Sequence, residues 1–231
     1  MTAGMVRRGD RLLRPMGSWS PAVHEYLRHL EAAGFGAAPR LLGIEGDREV
    51  LTFIDGDVAS DPEWQPGRGH RLPPCARTEQ ALRGAARLIR ALHEASASFR
   101  PAVTSYRFRP RVPGSGELIS HGDLGPWNTV YRDGLPVAFI DWDAAQPARP
   151  LDDLAAAAWT FVPLAPPRQL REAGFGPLPD LPARLRSFVG FGLTDRTTIL
   201  PALRRPVLHD PEPLRCLEHL CPDRAHALLQ D

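Results

Sequence analysis

ELISHGDLGPWNTVYRDGLPVAFIDWD, residues 117–143, is the stretch on which the fold turns. After Asn128 the run Thr129-Val130-Tyr131-Arg132 is β-prone, Asp133-Gly134-Leu135-Pro136 reads as a hairpin turn, and Val137-Ala138-Phe139-Ile140 returns as a second strand ending at Asp141. If residues 133–136 form the loop, Arg132 faces Val137 and the ladder runs back until Asn128 faces Asp141. Opposed residues of an antiparallel pair lie about 4.5–5.5 Å apart at Cα, so an amide oxygen and a carboxylate would converge at the open end of one hairpin. Both are hard oxygen donors suited to magnesium. A two-residue turn would instead put Asn128 opposite Phe139, so the pairing depends on the loop length.

Upstream, His121-Gly122-Asp123-Leu124 and Asn128 make the pattern H-x-D-L-x-x-x-N. That is the spacing of the kinase catalytic loop, in which Asp meets the acceptor hydroxyl and Asn holds a metal ion. A lone H-x-D is weak evidence, because Asp and Asn commonly serve as turn or cap residues. The full pattern, followed by a hairpin and an apolar run ending in Asp, is much rarer.

The run ISHGDLGPWN…VAFIDWDAAQPARPLDDLA resembles the aminoglycoside phosphotransferase and choline kinase family, over residues 4–165. The opening RPMGSWSPAVHEYLRHLEAAGF and the WNTV run are similar to short bacterial members of that family, some of them trifolitoxin-immunity-like. The resemblance implies an α+β, protein-kinase-like two-lobed fold. It implies a catalytic base at Asp123, Mg²⁺ ligands at Asn128 and Asp141, Asp143 as a third carboxylate, and a supporting role for His121. It also implies a structural aspartate, Asp153, starting the next helix, and ATP or GTP as phosphoryl donor. The departures are equally specific. The family grips phosphates with a small-lobe lysine oriented by a helix glutamate, but this chain has no lysine. The matching strand RLLRP offers Arg14, which keeps the charge in a longer, planar fork. The helix glutamate would fall near Val23 or His24, and Glu25 sits on another face. A glycine-rich phosphate loop is missing, with only Gly9-Asp10 to stand in for it.

Outward from this centre, residues 1–56 read as a small β lobe with one helix. Met5–Arg8 and Arg11–Arg14 form a hairpin, Ser20-Pro21 opens the helix, and Arg40–Ile44 pairs with Glu49–Ile54. Residues 57–77 are Gly-, Pro- and Asp-rich and read as hinge and loop. Residues 78–231 form the mainly helical lobe. Thr78 caps its first helix, striped by Leu82, Ala85, Leu88, Ile89 and Leu92. Residues 100–116 look irregular, with Arg107, Arg109 and Arg111 alternating either to meet an anionic group or, the favoured reading, as on a solvated strand face. Asp153–Phe161 reads as a helix, 163–182 as a proline-studded connection, and 183–191, 195–204 and 211–229 as closing helices. Trp127 and Trp142 are expected to pack beneath the catalytic loop, the alternative being to stack on a substrate. His24, His29 and His93 are expected to be satisfied or solvent-facing on helices.

Composition sets the limits. In 231 residues, 43% are apolar, enough for a core, and the formal charge of +1 gives no global field for nucleic acid or an anionic membrane. Cys75, Cys216 and Cys221 form neither a zinc pattern nor a disulfide framework, which suits a reducing, cytoplasmic setting. The stretch MTAGMVRRGDRLLRP lacks the apolar core expected of a signal peptide, and no apolar run approaches membrane-spanning length. The expected partners are a nucleotide and a small-molecule substrate. The expected activity is Mg²⁺-dependent transfer of a γ-phosphoryl group to a hydroxyl, and the alternative is an inactive kinase-fold binding or immunity protein. Charges of both signs balance over residues 183–231, which does not favour a polycationic acceptor.

Overall fold

Glycine at two tight turns builds the small lobe. β1 (Val6–Arg8) turns through Gly9 into β2 (Arg11–Pro15), and β3 (Leu41–Glu45) turns through Gly46 into β4 (Arg48–Thr52). Both glycines are left-handed, at φ 61° and 62°, a region that costs other residues strain. The hairpins join through β2 and β4 into one antiparallel sheet of order β1-β2-β4-β3. The computed structural model describes residues 4–59, 70–190 and 196–203.

Helix α1 (Ser20–Ala32) lies between the two hairpins in sequence, with Pro21 in its first turn. Ser20 is inside the helix rather than capping it. Trp19 holds the cap position without a side-chain bond, and the Ser20 hydroxyl accepts the Gly17 N–H at 3.0 Å. The apolar face of α1, Tyr26, Leu27 and Leu30, belongs to the main core, together with Leu82, Ile89, Phe139, Trp142, Phe161 and Phe188 of the helical lobe. The Tyr26 hydroxyl lies 2.6 Å from the Ile119 carbonyl and its ring meets Trp142 edge-on, so α1 is tied directly to the segment carrying the HGD motif.

Helix α2 (Glu79–Ser96) begins as expected, with the Thr78 hydroxyl accepting the Ala81 N–H at 3.0 Å. Its stripe is buried at Leu82, Ala85, Ile89 and Leu92, and Leu88 packs at the edge of the core. Two small sheets follow. β5 (Asp57–Val58), within the stretch read as hinge, pairs with β7 (Thr129–Arg132), which pairs with β8 (Leu135–Phe139). β6 (Leu118–Ser120) pairs with β9 (Gln146–Ala148), closing a loop around the motif. The chain continues through α3 (Pro150–Phe161), α4 (Pro167–Glu172), α5 (Leu181–Val189) and α6 (Arg196–Leu203). Helix α3 starts three residues before Asp153, at a proline suited to a first turn. The connection after Phe161 contains α4, likewise opened by a proline. Residues 107–111 form no strand: each lies in an irregular segment with no partner strand among the described residues. The helix expected over 211–229 lies outside the described residues. Among those described, no helix is long and apolar enough to cross a membrane.

Candidate active site

The HGD loop is held by a fully buried histidine. His121 Nε2 lies 2.9 Å from the Ile140 carbonyl, so that nitrogen carries the proton and donates. Nδ1 then accepts the Asp123 N–H at 3.3 Å. Burial pushes the His121 pKa below its ordinary value, and the Ile140 bond and nearby carboxylates only partly oppose this. The unfolded chain therefore takes up a proton near pH 6.5 that the folded chain refuses. Stability from this group is complete above that pH and declines as pH falls below it. Chemical denaturation at pH 7.5 and 5.5 should show this loss, and His121→Asn should make the profile flatter over that window.

Gly122 is required where it stands. Its φ is +80°, and a Cβ there would lie 2.0 Å from the Ala144 carbonyl oxygen. Gly122→Ala should cost at least the ~1–2 kcal/mol of a left-handed alanine, before the two backbones are forced apart. A denaturant midpoint equal to that of the parent protein would show that the loop and the 142–144 turn do not pack this closely. Beyond the glycine, the Asn128 amide nitrogen donates to Asp123 twice, to its carbonyl at 2.9 Å and to Oδ2 at 2.7 Å. Asn128 is almost buried and orients the Asp123 carboxylate, and its amide oxygen remains as the end that suits a cation.

The hairpin differs from its expected register. Its turn is two residues, Asp133-Gly134, both left-handed (φ 51° and 77°), because this dipeptide fits the type of turn that matches strand twist. Arg132 pairs with Leu135, which by itself would oppose Asn128 to Phe139. A bulge at Val137 moves the ladder by one, so Thr129 faces Phe139 and the Asn128 carbonyl accepts the Ile140 N–H at 2.9 Å. Asn128 therefore opposes Ile140, and Asp141 lies just past the ladder.

Asp141 has left-handed backbone angles (φ 61°, ψ 66°) and starts a single 3-10 turn, Trp142–Ala144. Trp142 enters the core, with Nε1 donating to the Phe139 carbonyl at 3.0 Å. With Trp142 anchored inward, Asp141 and Asp143 on either side of it both line the cleft. Trp127, by contrast, stacks on His70 at 4.9 Å.

Arg14 reaches two of the carboxylates that line this cleft. Its Nη1 donates to Asp141 Oδ1 at 3.0 Å and its Nη2 to Asp143, while Nε donates to Glu49. Glu49 stands opposite Arg14 in the β2–β4 ladder, and its second oxygen pairs with His24 Nε2 from α1. Burial alone would lower the Arg14 pKa, but Glu49, Asp143 and Asp141 together hold it above its ordinary value. Burial alone would raise Glu49, but bonds from His24 and Arg14 hold it below the usual carboxylate range. The carboxylate that steadies the cationic side chain thus comes from strand β4, and the helix contributes a histidine behind it. Glu25 has a different task, accepting the N–H groups of Ala102 and Val103, each at 2.8 Å. His93 bonds Asp153 at 2.9 Å, pinning α2 to the first turn of α3. His29 lies 2.9 Å from the Ala95 carbonyl.

Asp123, Asp141 and Asp143 line one cleft of about 540 Å³, together with Trp19, Arg107 and Phe108. The arginine expected on a solvated strand is therefore a cleft residue. A cavity of about 620 Å³ along Phe53–Asp55 contains none of these three carboxylates. Among the described residues, no group of three or more His, Cys, Asp or Glu is gathered tightly enough to hold a metal ion alone.

This arrangement has relatives. Residues 106–188 match the model of the phosphotransferase enzyme family. Over 197 residues the chain is 36% identical to the trifolitoxin immunity protein of Rhizobium leguminosarum bv. trifolii, covering 82% of this chain and 70% of that protein. The chain belongs to the phosphotransferase enzyme family. Family members of known structure share its two-lobed, protein-kinase-like fold. The macrolide 2'-phosphotransferase of Brachybacterium faecium superposes with TM-score 0.51 at 14% identity, over 97% of this chain and 85% of that one. The aminoglycoside phosphotransferase APH(3'')-Id of Streptomyces rimosus, solved with ADP and streptomycin, gives 0.51 at 17% identity, over 88% and 91%.

Proposed function

We propose that this protein transfers the γ-phosphoryl group of ATP or GTP to a hydroxyl of a small molecule. The observation that carries this reading is the convergence of Asp123, Asp141 and Asp143 in one cleft, with Arg14 bridging the last two. Asp123, oriented by Asn128, accepts the proton of the acceptor hydroxyl as its oxygen bonds to phosphorus and the bridging P–O bond of the donor breaks. Asp141, Asp143 and the Asn128 amide oxygen would be the donors for Mg²⁺. The fit is chemical: three carboxylates line the cleft, Arg14 pairs with only two of them, and negative charge on hard oxygens suits a divalent cation. When bound, the ion would neutralise charge on the phosphates. Magnesium commonly takes one or two protein carboxylates plus phosphate oxygens, so the lack of a self-sufficient cluster among the described residues is compatible with a metal that arrives with its nucleotide.

One observation favours a second reading, a kinase-fold protein that binds without turnover. Every nitrogen of the Arg14 guanidinium already meets a carboxylate, and β1 and β2 are joined by a two-residue turn rather than a glycine-rich loop. The relative named as an immunity protein agrees with it. Calorimetric titration with ATP and GTP, with and without Mg²⁺, separates the two. Magnesium-dependent binding supports transfer, and no binding of either nucleotide in millimolar Mg²⁺ rejects it.

A further inference from the structure

We propose that Arg107, rather than Arg14, is the side chain that meets the phosphate oxygens in this cleft, an inference that rests on the phosphotransferase reading above. Arg14 is fixed between Glu49, Asp141 and Asp143 with its side chain 6% exposed, and to grip a phosphate it would have to leave carboxylates that hold it. Arg107 shares the cleft with Asp123, Asp141 and Asp143, is exposed, and has no carboxylate partner among the described residues. Its Cζ sits over the Trp19 ring at 4.5 Å and the Phe108 ring at 5.2 Å. Aromatic contact engages the flat face of a guanidinium and leaves its in-plane N–H fork for an anion, the geometry that suits paired phosphate oxygens. The charge balance points the same way. Three aspartates line the cleft, and Arg14 is already committed to two of them and to Glu49, so a polyphosphate entering beside Mg²⁺ needs a further cation, and Arg107 is the arginine in the lining. Trp19 and Phe108 then act as positioning residues that hold the fork.

The test is calorimetry with two probes, Mg²⁺-nucleotide and Mg²⁺-tripolyphosphate, on the parent chain, Arg107→Ala, Arg107→Lys and Arg109→Ala. Arg107→Ala should weaken both probes by about 10–100-fold, the worth of one charge-assisted contact, and should lower the salt dependence of binding. Arg107→Lys should fall between, and Arg109→Ala, which lies outside the cleft, should match the parent. Circular dichroism confirms that the exposed substitution leaves the fold intact. If the parent binds and Arg107→Ala binds equally well, this inference is overturned while the phosphotransferase reading stands. If Arg107→Ala weakens the nucleotide alone, leaving tripolyphosphate unchanged, the phosphate assignment is overturned. If the parent binds neither probe, both readings fail together.

Discussion

Asp123→Asn is expected to lower turnover by about 10²–10⁴-fold, the usual contribution of a positioned acid or base, while Mg²⁺-nucleotide affinity stays nearly constant. The geometry gives the reason for this division. Asp123 is held by two bonds from Asn128 at the mouth of the HGD loop, whereas the Arg14-bridged pair Asp141 and Asp143 comes from the turn after β8. An asparagine keeps an oxygen for the Asn128 amide but cannot receive a hydroxyl proton. Asp141→Asn should do the opposite, weakening Mg²⁺-nucleotide binding by removing a charge from the donor set. The measurement is steady-state phosphate transfer beside calorimetric affinity for each variant. Equal losses of affinity in both would mean that the two aspartates do not have separate roles.

Glu49→Ala is expected to be the most destabilising of the changes considered, by about 3–5 kcal/mol, the cost of breaking a buried ion pair from one side. Glu49 is 1% exposed and joins three elements: Arg14 on β2, its own strand β4, and His24 on α1. Its loss leaves His24 buried without its carboxylate and Arg14 held only from the cleft side. For a chain of this size the midpoint of thermal unfolding should fall by about 6–20 °C. Glu49→Gln should cost less, because its amide keeps the shape. The pH dependence gives an independent check. The Glu49 pKa is lowered on folding, so its contribution is complete above the ordinary carboxylate value of 4.5 and is lost as pH falls through the lower folded value. Glu49→Ala should remove that acid limb and leave the His121 window, below pH 6.5, in place. A thermal midpoint within a degree or two of the parent would mean that the triad does not form.

The errors in the sequence reading have local causes. The Asp133-Gly134 turn was visible as turn chemistry, but the Val137 bulge had no marker in the residues around it, and together they decide what Asn128 faces. The Arg14–Glu49 pair was out of reach for another reason. It depends on β2 pairing with β4 across the intervening helix, and a long-range register has no local signature. The histidine at the helix position, read as satisfied or solvent-facing, is satisfied by that same glutamate. Arg107 was placed on a solvated strand face because alternation of charges suggests a strand. Residues 100–116 run irregularly, as their Pro and Gly content indicated, but only their path in space brings Arg107 over Trp19, the cap residue of a distant helix.

Some features need only neighbours along the chain. The Thr78 cap, the stripe of α2, the H-x-D-L-x-x-x-N spacing and the family resemblance were all legible, because helix periodicity, capping and motif spacing are written in consecutive residues. What only the tertiary structure decided is which charges meet. Arg14 lies 127 positions from Asp141 and 35 from Glu49, and Arg107 reaches the cleft through contacts with residues far from it in sequence. Charge pairing depends on distance in space, and that distance is set by how the hairpins register and how the helices pack around one shared core.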